Sequence, residues 1–229
     1  MTTGDGGPAD GPATAERRAL RYVALGDSYT IGTATRAAAE RWPDRLVATP
    51  GLPVALELVA NLAVNGYTSA DVIREELPAL DACRPELLSL LIGVNDVVQG
   101  VPVETYRANV TTILDDLVRR VGADRVLTVS TPDYTVTPQG ASYGDPATQA
   151  AGIHRSNAVL REAAASRGIA FVDIHDLSLR ARTDSSLVAE DGLHPSGVQY
   201  ALWVERIAPV VAELLGRGPA RAAGGGTPA

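Results

Sequence analysis

Two segments near opposite ends of the chain contain side chains that could together break an acyl bond. The segment DGLH at 191–194 places the carboxylate of Asp191 three residues before the imidazole of His194. At this spacing the carboxylate can hold one ring nitrogen and leave the other free to take a proton from a serine. Ser28, in the segment GDS at 26–28, is our candidate for that serine. We therefore predict that Ser28 is a nucleophile, His194 its base and Asp191 the residue that orients the ring.

Two further polar pairs, Asn65-Gly66 and Asn95-Asp96, each follow an apolar run, as Ser28 does. If these runs are parallel strands, their carboxyl ends meet at one edge of the sheet, which is where ligands bind in doubly wound folds. We expect both pairs to lie beside Ser28.

The elements that must position these residues are predicted from hydrophobic periodicity. Short apolar runs alternate with amphipathic segments, which is typical of parallel strands joined by crossover helices. The predicted strands cover 21–25, 54–63, 86–92, 125–130 and 169–174. The predicted helices cover 70–80, 103–121, 148–167 and a final helix to about 215 that Ser196 caps. These elements predict an α/β fold, a three-layer α/β/α sandwich around a five-stranded parallel, flavodoxin-like doubly wound sheet.

Composition excludes several kinds of chemistry. All 20 basic residues are Arg, so there is no lysine for a Schiff base, a phosphate-binding loop or a Ser-Lys dyad. A net charge of -7 disfavours nucleic acid as a partner. Cys83 is the only cysteine, which rules out an intramolecular disulfide and a thiolate metal cluster. We expect no metal and no cofactor.

The ends of the chain differ from its body in composition. Residues 1–19 and 216–229 are rich in Gly, Pro and Ala, and we expect both segments to be disordered around one domain at 20–215. No apolar stretch approaches the roughly 20 residues of a transmembrane helix, so we expect no stable membrane insertion. The start lacks the apolar core of a secretory signal, and we expect a cytoplasmic protein. The sequence leaves the oligomeric state open.

The four polar segments, taken together and in order, resemble the SGNH hydrolases, also called GDSL-type esterases and lipases. The matching segments are YVALGDSYT at 22–30, NLAVNG at 61–66, GVND at 93–96 and DGLH at 191–194. The resemblance implies that Ser28 is the nucleophile and that an oxyanion hole is formed by the amides of Ser28 and Gly66 and the side chain of Asn95. Thr30 stands where the name-giving motif has leucine.

The resemblance implies a serine esterase or lipase that cleaves small carboxylic esters through an acyl-enzyme. An acyltransferase or a thioesterase would use the same site, and the sequence does not separate them. The alternative of another class is a binding protein on the same fold that holds a small ligand without turnover. We expect the segments 97–103 and 132–145, the second a long connection rich in Pro and Gly, to shape the pocket.

Four other residues could be given a catalytic role from the sequence alone. Ser142 lies in GASYG, which matches the nucleophile pattern of α/β-hydrolases, but no buried strand precedes it. We expect Ser142 to lie in a pocket loop. His154 and His175 are predicted to have structural or surface roles, and Asp27 is predicted to tie down loop amides.

Overall fold

The sheet is the element that brings the polar segments together. The computed structural model describes residues 18–216. In that range five strands form one parallel sheet in the order β2-β1-β3-β4-β5. The strands are β1 (Leu20–Gly26), β2 (Leu56–Asn61), β3 (Leu87–Leu91), β4 (Val126–Val129) and β5 (Ala170–Val172). The order reverses beside β1, and the predicted flavodoxin-like doubly wound sheet is confirmed.

Nine α-helical segments connect and cover these strands within residues 18–216. They are α1 (Ser28–Ile31), α2 (Trp42–Val47), α3 (Ser69–Asp71), α4 (Leu77–Cys83), α5 (Val94–Val98), α6 (Val103–Val121), α7 (Pro146–Ala165), α8 (His175–Leu179) and α9 (Gly197–Gly216). A π-helical segment, Val72–Glu76, joins α3 to α4 without a break. Short 3-10 helices lie at Ala38–Glu40, Ala123–Arg125, Tyr134–Val136, Gly140–Tyr143, Arg180–Arg182 and Ser185–Leu187.

The sheet is covered on both faces, which explains why its strands are apolar at consecutive positions. In β1, Tyr22 and Ala24 belong to a core cluster that includes Trp42 of α2 and Trp203 of α9. The side chains that alternate with them, including Val23, pack in a second cluster with α4, α6 and α7. Alternate side chains of a strand point to opposite faces, so both sets must be apolar. The predicted three-layer sandwich is confirmed.

Several predicted boundaries differ from the structure. The second strand was expected at 54–63 but β2 covers Leu56–Asn61, and the expected helix at 70–80 runs to Cys83 through a π turn. Periodicity did not predict α2, α5 and α8, because five or six residues are too few to show a helical repeat. The disordered ends predicted at 1–19 and 216–229 lie outside the described residues, apart from Arg18, Ala19 and Gly216.

No helix within residues 18–216 combines the length and apolar character that crossing a membrane would require.

Candidate active site

The turn between β1 and α1 places Ser28 at the edge of the sheet. Asp27 caps α1, and its side chain accepts a hydrogen bond of 3.0 Å from the Tyr29 amide. Gly26 has a φ of 147°, and a Cβ there would lie 2.2 Å from the carbonyl oxygen of Leu91 in β3. Only glycine fits so close an approach in this backbone region. Ser28 therefore begins α1 from a turn that its neighbours hold tightly, and it is itself buried.

The carboxyl of Asp27 is shielded from solvent. Asp27 is fully buried. Burial, and to a smaller degree the charge of Asp96, raise the pKa of Asp27 to about 8, although the hydrogen bond from Tyr29 lowers it. The structural role predicted for Asp27 agrees with this position, because its Oδ1 accepts an amide of the first turn of α1.

The loop after β2 brings Gly66 to the same edge. The Leu62 amide donates to the carbonyl oxygen of Ala24 in β1 at 2.9 Å, which continues the strand pairing past the end of β2. A turn follows in which the Tyr67 amide donates to the carbonyl oxygen of Val64, and Gly66 has a φ of 81° within it. This left-handed backbone favours glycine.

Asn95 enters from the start of α5. Its Nδ2 donates to the carbonyl oxygen of Tyr67 at 2.9 Å, so one of its two amide hydrogens is used and one remains. The next residue, Asp96, accepts the Ser69 amide at 2.9 Å and the Ser69 hydroxyl at 2.5 Å. These two bonds hold α5 against the start of α3, which follows the loop that contains Gly66.

Asp191 and His194 lie on a short loop that precedes α9. Asp191 Oδ2 lies 2.6 Å from His194 Nδ1, while its Oδ1 accepts the amides of Leu193 and His194 at 2.9 and 3.0 Å. Burial raises the pKa of Asp191, but these three hydrogen bonds outweigh it, and the pKa lies below its ordinary value. Asp191 is therefore a carboxylate at neutral pH, and its contact with Nδ1 leaves Nε2 of His194 as the free ring nitrogen.

All of these elements meet at one cavity of about 230 Å³. Its lining residues are Ser28, Tyr29, Asn65, Gly66, Val94, Asn95, Val98, Tyr134, Tyr143, Leu193 and His194. Ser28 and His194 share this cavity, although no direct hydrogen bond joins their side chains. The structure thus places four predicted site residues together, with Asp191 behind the imidazole.

Helix α9 contacts the segment that contains Ser28. Tyr200 Oη donates to the carbonyl oxygen of Tyr29 at 3.0 Å. The Tyr29 ring lies 5.7 Å from the His194 ring and 6.5 Å from that of Trp203, between centroids. Packing across α1 and α9 therefore connects the segment that contains Ser28 to the segment that contains His194.

The competing candidates lie elsewhere. Ser142 is exposed on the 3-10 helix Gly140–Tyr143 and does not line the cavity, although its neighbour Tyr143 does. No strand leads into Ser142, so the turn that a nucleophile of the GASYG type requires is absent there. His154 and His175 contact each other, with ring centroids 4.5 Å apart and ring planes tilted by 46°, and they line a separate cavity.

Sequence reasoning missed Glu76, which is buried below the β1–α1 turn, and did not single out Tyr134 and Tyr143 within the long loop. A signal for Glu76 was present, because Val72, Glu76 and Leu80 are spaced by four residues and a glutamate here interrupts an apolar face. Among residues 18–216, no group of three or more His, Cys, Asp or Glu side chains could hold a metal ion.

Solved structures with a similar fold share low sequence identity with this chain. A lipase/acylhydrolase from Enterococcus faecalis is 24% identical with a TM-score of 0.66, over 89% of this chain and 100% of that one. A variant of Axe2, an acetyl xylan esterase from Geobacillus stearothermophilus, is 17% identical with a TM-score of 0.65, over 84% and 94%. A lipolytic protein of the G-D-S-L family from Veillonella parvula DSM 2008 is 17% identical with a TM-score of 0.65, over 87% and 100%.

None of the curated protein sequences matches the chain. Residues 24–202 match the family described as GDSL-like Lipase/Acylhydrolase, and this range contains the first polar segment from Ala24 onward and the other three in full. The resemblance to GDSL-type hydrolases is thereby confirmed, and with it the assignment as a hydrolase of ester bonds. The chain belongs to the GDSL-like Lipase/Acylhydrolase family.

Proposed function

We propose that the protein hydrolyses carboxylic esters through a Ser28–His194–Asp191 triad and an acyl-enzyme intermediate. The observation that carries this proposal is the shared cavity. Four separate segments of the chain contribute Ser28, Gly66, Asn95 and His194, which line the same space of about 230 Å³. A ligand-binding protein would not need an imidazole whose Nδ1 is held by a carboxylate at 2.6 Å.

The proposed reaction begins when Ser28 Oγ attacks the acyl carbonyl carbon and its proton passes to His194 Nε2. Asp191 stabilises the imidazolium that forms. The proton then moves to the alkoxide, which leaves as the alcohol. A water molecule attacks the acyl-enzyme in the same way, gives its proton to His194 and releases the carboxylic acid, with the proton returned to Ser28.

The negative charge of the tetrahedral intermediate requires donors fixed in advance. We assign this task to the amides of Ser28 and Gly66 and to the second Nδ2 hydrogen of Asn95. The first Nδ2 hydrogen is bound to the Tyr67 carbonyl, which holds the amide plane in place. One such donor contributes about 2.7–4 kcal/mol to the transition state.

The cavity favours a short acyl chain. Its apolar lining includes Val94, Val98 and Leu193, and the edge-to-face pair Tyr134 and Tyr143 borders it with ring centroids 5.7 Å apart. A volume of about 230 Å³ is smaller than the roughly 300–1,000 Å³ of sites that enclose a drug-sized ligand. The similar Geobacillus structure is that of an acetyl xylan esterase, in which the acyl group is also short.

The proposal is tested with a fluorophosphonate probe and nitrophenyl esters from acetate to palmitate. We expect a covalent adduct on Ser28, located by peptide mass spectrometry, and the highest kcat/KM for the shorter chains. Ser28→Ala should abolish the adduct, whereas Ser142→Ala should retain it. A wild-type protein that neither reacts with the probe nor hydrolyses any of the esters would contradict the proposal and favour a binding protein.

A further inference from the structure

A glutamate buried below the proposed nucleophile turn has no role in the reaction described above. Glu76 is the last residue of the π-helical segment Val72–Glu76, and only 2% of its surface is exposed. Single π turns inside helices occur often at functional sites, because the extra residue redirects a side chain. Glutamate is seldom buried to this extent without a partner.

The partner of Glu76 is the backbone of the turn that precedes Ser28. Its Oε2 accepts a hydrogen bond of 2.9 Å from the Gly26 amide. Gly26 is the last residue of β1, and Asp27 next to it caps α1. The contact therefore connects the π turn to the two residues that determine where α1 begins.

Two carboxyl oxygens at this point remain without a partner among the described residues. Glu76 Oε1 and Asp27 Oδ2 are both buried and accept no hydrogen bond. A charged carboxylate with a buried, unsatisfied oxygen is costly, and two of them side by side also repel each other. The neutral carboxyl removes the repulsion and reduces the cost of burial.

In the part of the chain that the structure describes, the surroundings of these carboxyls contain acids and phenols but no partner cation. Within residues 18–216, no Arg or His side chain makes a hydrogen bond or ion pair with Glu76, Asp27 or Asp96. Burial, helped by the charges of Asp27 and of Asp71 on α3, raises the pKa of Glu76 to about 9, although the hydrogen bond from the Gly26 amide lowers it. The charge of Asp96 on α5 likewise raises the pKa of Asp27. The charge of Asp27 also raises the pKa of three phenols on α1, α6 and α9, namely Tyr29, Tyr106 and Tyr200.

We propose that Glu76 is a positioning residue, which holds the β1–α1 turn through the Gly26 amide and so keeps Ser28 in place. The role rests on the proposed function of Ser28 as the nucleophile. Glu76 acts in its protonated form, with one oxygen accepting the Gly26 amide. Loss of the proton makes Glu76 a stronger acceptor for the Gly26 amide but places a second negative charge beside Asp27. The repulsion between the two carboxylates displaces the turn, which should lower kcat and leave KM largely unchanged.

The test compares Glu76→Gln, Glu76→Leu and a matched control, Glu75→Gln, whose side chain is half exposed and pairs with Arg74. Glutamine keeps the acceptor for the Gly26 amide and cannot ionise. For the wild type we expect kcat to decline above about pH 9. Glu76→Gln should retain kcat within about threefold at neutral pH and should lack this decline. Glu76→Leu should lower kcat by at least about tenfold at unchanged KM, because the turn loses its acceptor. Glu75→Gln should match the wild type throughout.

Thermal unfolding provides a readout that does not depend on activity. A raised pKa means that the contribution of Glu76 to stability is fully present below its ordinary pKa of 4.5 and is lost as the pH rises to about 9. As the pH rises from 4.5 to about 9, the unfolding midpoint of Glu76→Gln should therefore rise relative to that of the wild type. A constant difference, or a wild-type kcat in Glu76→Leu, would overturn the inference. If the wild type is inactive and Ser28 does not react with the probe, the proposed function fails, and the midpoints still decide whether Glu76 is protonated.

Discussion

Asp27 and Asp191 each lie within three residues of a proposed catalytic side chain, yet their surroundings differ. Asp27 is fully buried, accepts one amide and has a pKa raised to about 8. Asp191 has a side chain that is 34% exposed, and it accepts two amides and the His194 ring, which lower its pKa. Burial without enough donors favours the neutral acid, whereas three donors at a partly exposed site favour the charged form.

The difference separates two tasks that one residue type can perform beside a reacting serine. A carboxylate that stays charged can stabilise an imidazolium, as the proposed reaction requires of Asp191. A carboxyl that is neutral over much of the pH range is suited to holding a backbone turn. In the proposed reaction, the region around Gly26, with Asp27 and Glu76 next to it, therefore holds the nucleophile turn, and the region around His194 transfers the proton.

The largest effects are expected from removal of the residues that exchange the proton. Ser28→Ala and His194→Ala should each lower kcat by about 10⁴-fold or more, because neither the nucleophile nor the base can be replaced by water. Steady-state ester hydrolysis measures this, and circular dichroism checks that the variants fold. A loss below about tenfold in either variant would remove that residue from the triad.

A direct comparison of the two aspartates should give the next largest effect. Asp191→Asn should lower kcat by about 10⁴-fold, because the amide cannot stabilise the imidazolium and favours the wrong ring tautomer. Asp27→Asn should stay within a few-fold, because asparagine caps helices as well as aspartate does. The comparison between the regions is wrong if the two variants lose equal activity.

An intermediate effect is expected at the proposed oxyanion hole. Asn95→Ala should lower kcat by about 10² to 10³-fold, because one of three donors to the oxyanion is lost. Kinetic analysis separates kcat from KM here. An effect confined to KM would show that Asn95 binds the substrate and does not stabilise the transition state.

The pH dependence of stability should distinguish the buried acid from the partly exposed one. Asp27 has a raised pKa, so its contribution is fully present below the ordinary value of 3.8 and is lost as the pH rises to about 8. As the pH rises through this range, the unfolding midpoint of Asp27→Asn should rise relative to that of the wild type. Asp191 has a lowered pKa, so its contribution is present above 3.8 and is lost in acid. The unfolding midpoint of Asp191→Asn should accordingly decrease relative to that of the wild type as the pH rises through that region.

The smallest effects are expected in the long loop, where two neighbouring residues differ. Ser142→Ala should stay within a few-fold of the wild type for all esters, because among the described residues its hydroxyl binds Gln139 alone. Tyr143→Ala should raise kcat/KM for longer acyl esters relative to acetate by a few-fold, since Tyr143 borders the cavity. An acyl-chain panel on both variants checks this, and a large loss in Ser142→Ala would contradict the assignment of Ser28.

Much of the fold was predictable because its signals are local. The five strands were recognised from apolar runs, and long helices such as α6 from their period, since both depend on neighbours within about two turns. The link between Asp191 and His194 is equally local, because a spacing of three residues brings the two side chains into contact. Short helices such as α5 gave no such signal.

The sequence by itself determined the residue types of the site, the order of its segments and the sheet that brings them to one edge. Only the tertiary structure decided which residues share the cavity with Ser28, including Tyr134 and Tyr143, and which acids are charged. The physical reason is that burial and charge depend on groups far apart in the chain. Glu76 and Gly26 are 50 residues apart, and their contact exists only because the π turn packs against the end of β1.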